Sequence, residues 1–258
     1  MELELAGARV IVTAGASGIG RQIVSAYLHE GAQVELCDVD EAALERVSSE
    51  LPAARSTLCD VVDRSAVTSF IDEAAARMGG LDILINNAGI AGPTAAVQDI
   101  HPEDWDRCIA VCLTAQFNCT RIAVPHLRQS QNGSIVNLSS AAGHLGFGLR
   151  TPYAAAKWGV IGFTKSLAIE LGADGIRVNA ILPGIVAGER QRRVMHAKAE
   201  QKGLTFSEIE AEAFSYASIK DYITVEQLAD YILFITSPRG RTVSGQAISI
   251  CGDLKMLA

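Results

Sequence analysis

The chain has 258 residues, a formal net charge of −7, 49% apolar side chains and 20% charged ones. That acidic balance argues against a nucleic-acid surface, which depends on excess Lys and Arg, while the length suits one α/β domain able to bury a large core without disulfides. The six cysteines at 37, 59, 108, 112, 119 and 251 form no CxxC pair and no regular framework, so they read as reduced thiols of a cytoplasmic protein. No apolar run approaches the ~18 residues that span a membrane. The opening MELELAGARV has neither the basic nor the apolar segment of an export signal.

In chain order, short β-branched runs alternate with longer helical patterns. Strands are predicted near 8–13, 33–37, 56–59, 81–85, 133–138, 176–181 and 246–250, and helices near 19–30, 41–50, 64–78, 102–129, 152–171 and 224–236. Strands separated by helices of this length join through right-handed crossovers into a parallel sheet covered on both faces. The expectation is therefore a single α/β domain over 1–258, doubly wound and Rossmann-type, with about seven strands and ligands at their carboxyl ends. Cys108, Cys112 and Cys119 share a helix face, where they read as small core residues. No His or carboxylate joins them at ligand spacing, so no metal is expected.

The first strand-to-helix turn is TAGASGIG, residues 13–20. Gly15, Gly18 and Gly20 let the backbone approach a diphosphate and leave helix N–H groups facing it, although a tight connection alone would also use glycine. The second strand ends at Asp38, where a carboxylate suits an adenosine ribose and repels a 2′-phosphate; Ser17, Val39 and Asp40 supply no compensating cation. Either Asp38 or Asp40 can also cap the next helix. Asp60, after the third strand, suits an adenine amino group or a loop cap. Asn86-Asn87-Ala88-Gly89, after the fourth, suits a close turn around a ribose.

The stretch from Asn137 to Leu171 carries a different chemistry. Tyr153 and Lys157 stand four apart on one helix face, and Ser140 lies upstream at the end of a strand. A phenol titrates near ~10 in water, and a neighbouring ammonium favours its ionised form, which makes such a pair a proton-transfer group. A serine hydroxyl can hydrogen-bond the oxygen that gains or loses that proton.

TAGASGIG, Asp38, Asp60-Val61, NNAG, Ser140, YAAAK and Pro183-Gly184, in this order, resemble the short-chain dehydrogenase/reductase family along nearly the whole chain. The resemblance implies that Gly15, Ser17, Gly18, Ile19 and Gly20 cradle the diphosphate of NAD and that Asp38 holds its adenosine ribose. Asp60 and Val61 would meet the adenine, and Asn87, Ala88 and Gly89 the ribose region. Tyr153 would be the general acid/base, Lys157 would bind the nicotinamide ribose, and Ser140 would fix the substrate oxygen. Pro183, Gly184 and the backbone near Val186 would hold the carboxamide. The helices at 102–129 and 152–171, apolar on more than one face, would form a homodimer interface, commonly within a homotetramer.

The chain departs from the family pattern at several positions. Ala14 replaces the first glycine of the turn, Gly188 a threonine after the Pro-Gly turn, and Cys251 an Asp. The family's asparagine in the fourth helix, which helps hold a water beside the lysine, is Cys112. A thiol does not replace an amide bond for bond, so the expected consequence is an altered proton relay through Lys157.

An insert at about 188–222, long enough for two helices, is expected to cover a small-molecule substrate. Its first part is basic, with Arg190, Arg192, Arg193, Lys198 and Lys202, and its second part carries Glu208, Glu210 and Glu212. Arginine forks suit carboxylates, phosphates and sulfonates, although a solvated helix face would read the same way. Arg190 and Arg193, with His144, Phe147 and Arg150 from the loop after Ser140, are the candidate substrate contacts. The reading is an NAD-dependent oxidoreductase of a secondary alcohol or ketone, small and anionic or polyhydroxylated. A 3-oxoacyl thioester reductase is the alternative within the class, and a catalytically weak nucleotide-sensing binding protein the alternative outside it.

Overall fold

In the first strand, β1 (Arg9–Thr13), Val10 and Val12 face one side of a sheet and Ile11 the other, and all three are fully buried. A strand buried on both faces belongs in the interior of a parallel sheet. The computed structural model, which describes residues 2–257, places it there. Seven parallel strands run in the order β3-β2-β1-β4-β5-β6-β7. The others are β2 (Gln33–Asp38), β3 (Arg55–Leu58), β4 (Ile83–Asn86), β5 (Ser134–Leu138), β6 (Arg177–Pro183) and β7 (Ala247–Ile250).

Helices α1 (Gly18–His29), α2 (Glu41–Glu50) and α9 (Val225–Thr236) cover one face, packing Ile23, Val24, Leu44 and Ile232 onto Val10 and Val12. The Tyr27 hydroxyl, buried and 2.6 Å from Thr236 Oγ1, ties α1 to α9. The other face is covered by α3 (Arg64–Met78), α5 (Ala115–Leu127) and α6 (Thr151–Leu171), with Phe70, Ile71, Cys119 and Leu167 over Ile11, Leu84 and Ile135. Order reverses between β1 and β4, so the crevice at their carboxyl ends is where a ligand is expected.

The long fourth helix differs from its predicted form. It is a rod of α4 (Pro102–Ile109) and α5 joined by a π-helical turn, Ala110–Thr114, with Cys112 in its middle. By length and composition the rod could cross a membrane, but in this fold it packs against α3 and α6. Trp105, Phe117, Trp158 and Ile169 are left exposed on α4, α5 and α6. Beyond β6, the insert forms α7 (Glu189–Lys202) and α8 (Phe206–Ser215). A separate apolar cluster joins Met195, Ala199 and Ile209 of these helices to Ala141, Ile185 and Leu254.

Candidate active site

The glycine turn is held so tightly that only glycine fits one of its positions. A Cβ on Gly20 would lie 2.1 Å from Ala14 O and 2.6 Å from Asn87 Nδ2. Ala14 itself takes φ +50, a left-handed conformation that costs an L-residue energy, so the chain keeps the geometry of the missing glycine. Ser17 is the N-cap of α1 but makes no side-chain cap. The first N–H groups of α1, around Gly18, Ile19 and Gly20, thus have no side-chain acceptor and suit an anion.

Asp38 ends β2 in a buried position, accepting from Ala16 N at 3.2 Å, Val39 N at 2.8 Å and Asp40 N at 3.2 Å. Capping of α2 falls to Asp40, which accepts from Ala43 N, so Asp38 is not the cap. Asp60 is exposed and closes its own loop through Val62 N; Val61 beside it is buried. Asn87 spends its amide on Thr13 O and Ala14 O, while Asn87 N and Ala88 N donate to Thr13 Oγ1. NNAG thereby locks the end of β4 to the glycine turn. Farther along the edge, Gly184 N donates to Ile250 O and Val186 pairs with Ile223.

Ser140 caps a short turn, its Oγ accepting from Ala142 N at 3.2 Å, which leaves its own proton to donate. Next to it the buried Ser139 Oγ donates to Lys157 O at 2.8 Å, fastening this turn to α6. Lys157 is only 3% exposed; its Nζ donates to Leu138 O at 2.6 Å and lies 5.7 Å from the centre of the Tyr153 ring. Tyr153 is half-buried at the start of α6. Tyr153 and Lys157 therefore stand together at the carboxyl edge beside Gly89, where a Cβ would stand 3.5 Å from Lys157 Nζ, and Ser140 follows the Ser139 that is bonded to Lys157 O.

Cys112 reaches the same place. Its Sγ accepts from Ile90 N and donates to Ile90 O, both at 3.4 Å, so one thiol bridges the two polar groups of a residue in the β4 loop. A hydrogen bond from Cys108, with burial opposing it and the Lys157 charge assisting, holds the Cys112 thiol below the ordinary range; Cys108 is held above it. The partnership of Cys108 and Cys112 is a feature that helical spacing contained, four residues apart, and that a reading of both as core left out.

The predicted substrate contacts separate. A cavity of about 350 Å³ lies between the Gly89–Thr94 loop and α7, lined by Arg190, Arg193, Val194 and Ala197. Arg190 and Arg193 are exposed at its mouth, and Arg190 Nη1 reaches Gly89 O at 3.2 Å. Arg150 is buried, donating from Nη2 to Ala91 O on the cavity wall, with its Cζ 5.1 Å from the ring centres of both Tyr153 and Phe147. Lys198, whose burial the sequence does not advertise, puts its Nζ 4.1 Å from the Phe147 ring centre. His144 lines instead a shallow depression of about 400 Å³ with Trp158, Ile161 and Ala247. That depression is the larger, yet Arg190 and Arg193 line only the other.

Comparison with known proteins agrees with this geometry. A family model described as short chain dehydrogenase matches residues 8–199. The 3-oxoacyl-(acyl-carrier-protein) reductase of Thermotoga maritima is 34% identical over 256 residues, covering 98% of this chain and 99% of that protein. Among solved structures, NAD+-bound xylitol dehydrogenase superposes with a TM-score of 0.93 at 26% identity, covering 96% of this chain and 99% of that one. Actinorhodin polyketide ketoreductase with NADPH gives 0.90 at 30% identity, covering 95% and 96%.

Proposed function

The chain belongs to the short-chain dehydrogenase/reductase family, an oxidoreductase acting on CH–OH groups with a nicotinamide cofactor, and from that premise we propose that it is an NAD-dependent enzyme of small secondary alcohols or ketones. The observation that carries the proposal is the pairing of a buried lysine, Lys157, with a half-buried phenol, Tyr153, at the carboxyl edge of the sheet, on a helix fastened through Ser139 to the turn that begins at Ser140. The residues present suit the cofactor: open space beside Gly18 of the glycine turn, uncapped N–H groups at α1, and Asp38 at the end of β2. When bound, NAD supplies or accepts the hydride at its nicotinamide C4.

The roles follow from charge and position. Tyr153 takes the carbinol proton during oxidation and returns it during reduction, acting as general base and acid. Lys157 supplies positive charge beside the phenolate and a donor for the nicotinamide ribose. Ser140 donates to the substrate oxygen and orients it. The diphosphate falls to Gly15, Ser17, Gly18, Ile19 and Gly20, the adenine region to Asp60 and Val61, and the nicotinamide side to Asn87, Ala88, Gly89, Pro183, Gly184 and Val186.

Preference for NAD over NADP rests on Asp38, because a second anion in place of a ribose hydroxyl would meet its carboxylate. The nearby Arg21 is already engaged by Glu50 at 2.6 Å. A homodimer or homotetramer through the α4–α5 rod and α6 is supported by the exposed Trp105, Phe117, Trp158 and Ile169. A cytoplasmic setting is supported by six free thiols. Similarity to the Thermotoga reductase favours a second reading, reduction of a 3-oxoacyl thioester. One assay separates the two: a panel of secondary alcohols with NAD+ and with NADP+, followed by a 3-oxoacyl thioester with NADH and with NADPH. Faster thioester reduction with NADPH than any alcohol oxidation with NAD+ would transfer the chain to the second reading.

A further inference from the structure

Two cations beside the Phe147 ring are buried without an anion. Arg150 is 2% exposed and Lys198 is 4% exposed, and neither forms an ion pair among the described residues. Of the three guanidinium nitrogens of Arg150, only Nη2 has a partner; Nε and Nη1 are buried with none. The nearest acid to Lys198, Glu212, is held by Lys202 Nζ at 2.9 and 3.0 Å. Burying a charge without a partner is expensive, and a fold that keeps two such charges against one phenylalanine has a use for them. Both reach Phe147, Arg150 at 5.1 Å and Lys198 at 4.1 Å from its ring centre.

Position gives that use its address. Arg150 precedes Tyr153 by one helical turn and closes on Ala91 in the wall of the 350 Å³ cavity. Arg190, Val194, Ala197 and Lys198 occupy one stripe of α7, so the helix that walls the cavity also delivers the second cation. Charge alone would let an exposed arginine pair serve, but exposed groups are hydrated and screened, whereas these two side chains are almost wholly buried.

Resting on the oxidoreductase reading above, we propose that Arg150 and Lys198, both against Phe147, form an anion subsite that holds the acidic group of a short-chain hydroxy or oxo acid while its reacting carbon lies at Tyr153. The acidic group is a carboxylate or a sulfonate. The subsite narrows the substrate to molecules in which an anion and a secondary carbinol lie a few bonds apart, and it disfavours neutral alcohols, which would leave both cations unpaired.

The test uses the full chain with saturating NAD+. Initial rates are compared for 3-hydroxybutyrate, lactate and 2-hydroxypropanesulfonate against methyl 3-hydroxybutyrate, methyl lactate and 2-butanol. At least one acid should exceed its neutral counterpart about 100-fold in kcat/KM, and Lys198→Met should raise the KM of that acid by about 30-fold and erase the preference, since a desolvated charge partner has been removed. Arg150→Lys should act in the same direction, with kcat falling less than KM rises. Equal use of acids and neutral alcohols by the wild type, or a preference untouched by Lys198→Met, overturns the subsite. If no alcohol of either kind is oxidised, the oxidoreductase reading fails instead, and binding decides the subsite. Malonate should then raise the unfolding temperature of the wild type above that of Lys198→Met, whereas malonamide should not; identical shifts overturn the proposal.

Discussion

The two ends of the crevice are built by different means. At the proposed adenosine end, the groups on offer are mostly backbone: the glycine turn and the first N–H groups of α1, joined by an Asp38 carboxylate that three backbone N–H donors hold. At the proposed substrate end they are long side chains, Arg150, Arg190 and Lys198, arriving from a loop and from an inserted helix. Backbone contact demands a residue type at a position, whereas side-chain contact demands only reach. The first end is accordingly confined to few residue types, and the second is free to define one substrate.

The catalytic trio sits where the two ends meet, and it gives the sharpest way to break the comparison. Tyr153→Phe removes one oxygen from a half-buried ring and leaves the packing around it in place. Turnover should fall by roughly 10²–10⁴-fold, the range expected when a proton-transfer group is lost, while NAD affinity, set at the adenosine end, changes little. Steady-state rates with a titration of NAD binding check both halves. Near-normal turnover would remove Tyr153 from its assigned role, and a parallel loss of NAD affinity would mean that the two ends are not separable.

Much of this architecture was legible before any coordinates. Strands of a doubly wound sheet are continuous apolar runs, and the glycine turn, Asp38, NNAG and the Ser140–Tyr153–Lys157 set are local patterns whose spacing survives folding. The π turn was not legible, because Val111-Cys112-Leu113 keeps the apolar spacing of an ordinary helix while the extra residue in the turn is accommodated by packing on α6. Lys198 reads as one more charge in a basic run, and nothing local tells that α7 folds down over Phe147. His144 shows the converse, since its nearness in sequence to Ser140 suggested the substrate, yet the chain turns it toward Trp158.

A smaller effect, confined to the substrate end, comes from pH. Burial first, and then the charges of Arg150 and Lys202 against the opposing Glu212, push Lys198 down to about 8. Below that value its amine is charged and pairs with an acidic ligand; above it the charge is lost. The dissociation constant of malonate should be flat near neutrality and weaken by about tenfold for each pH unit beyond 8, as expected for a ligand that needs the protonated amine. Calorimetric titration from pH 6.5 to 9.5 would record it. NAD binding over the same range should show no such bend, and a flat malonate profile would separate Lys198 from the acidic group.

The least perturbation should come from Cys112→Asn, which touches the seam between the two ends. The thiol bridges Ile90 N and Ile90 O, the two bonds that an amide, with its separate donor and acceptor, can also make. Turnover should therefore stay equal or rise a few-fold. Stability should move the other way: Cys112 is fully buried against Cys108 and Ala156, and forcing extra atoms into a filled site costs about 1–3 kcal/mol. In a chain of this size that lowers the unfolding temperature by roughly 2–4 °C for each kcal/mol. A large drop in kcat from a protein that still unfolds cooperatively would contradict the equivalence. It would mean that the sulfur beside Lys157 contributes through its charge, which an amide cannot carry, and not through the loop it holds.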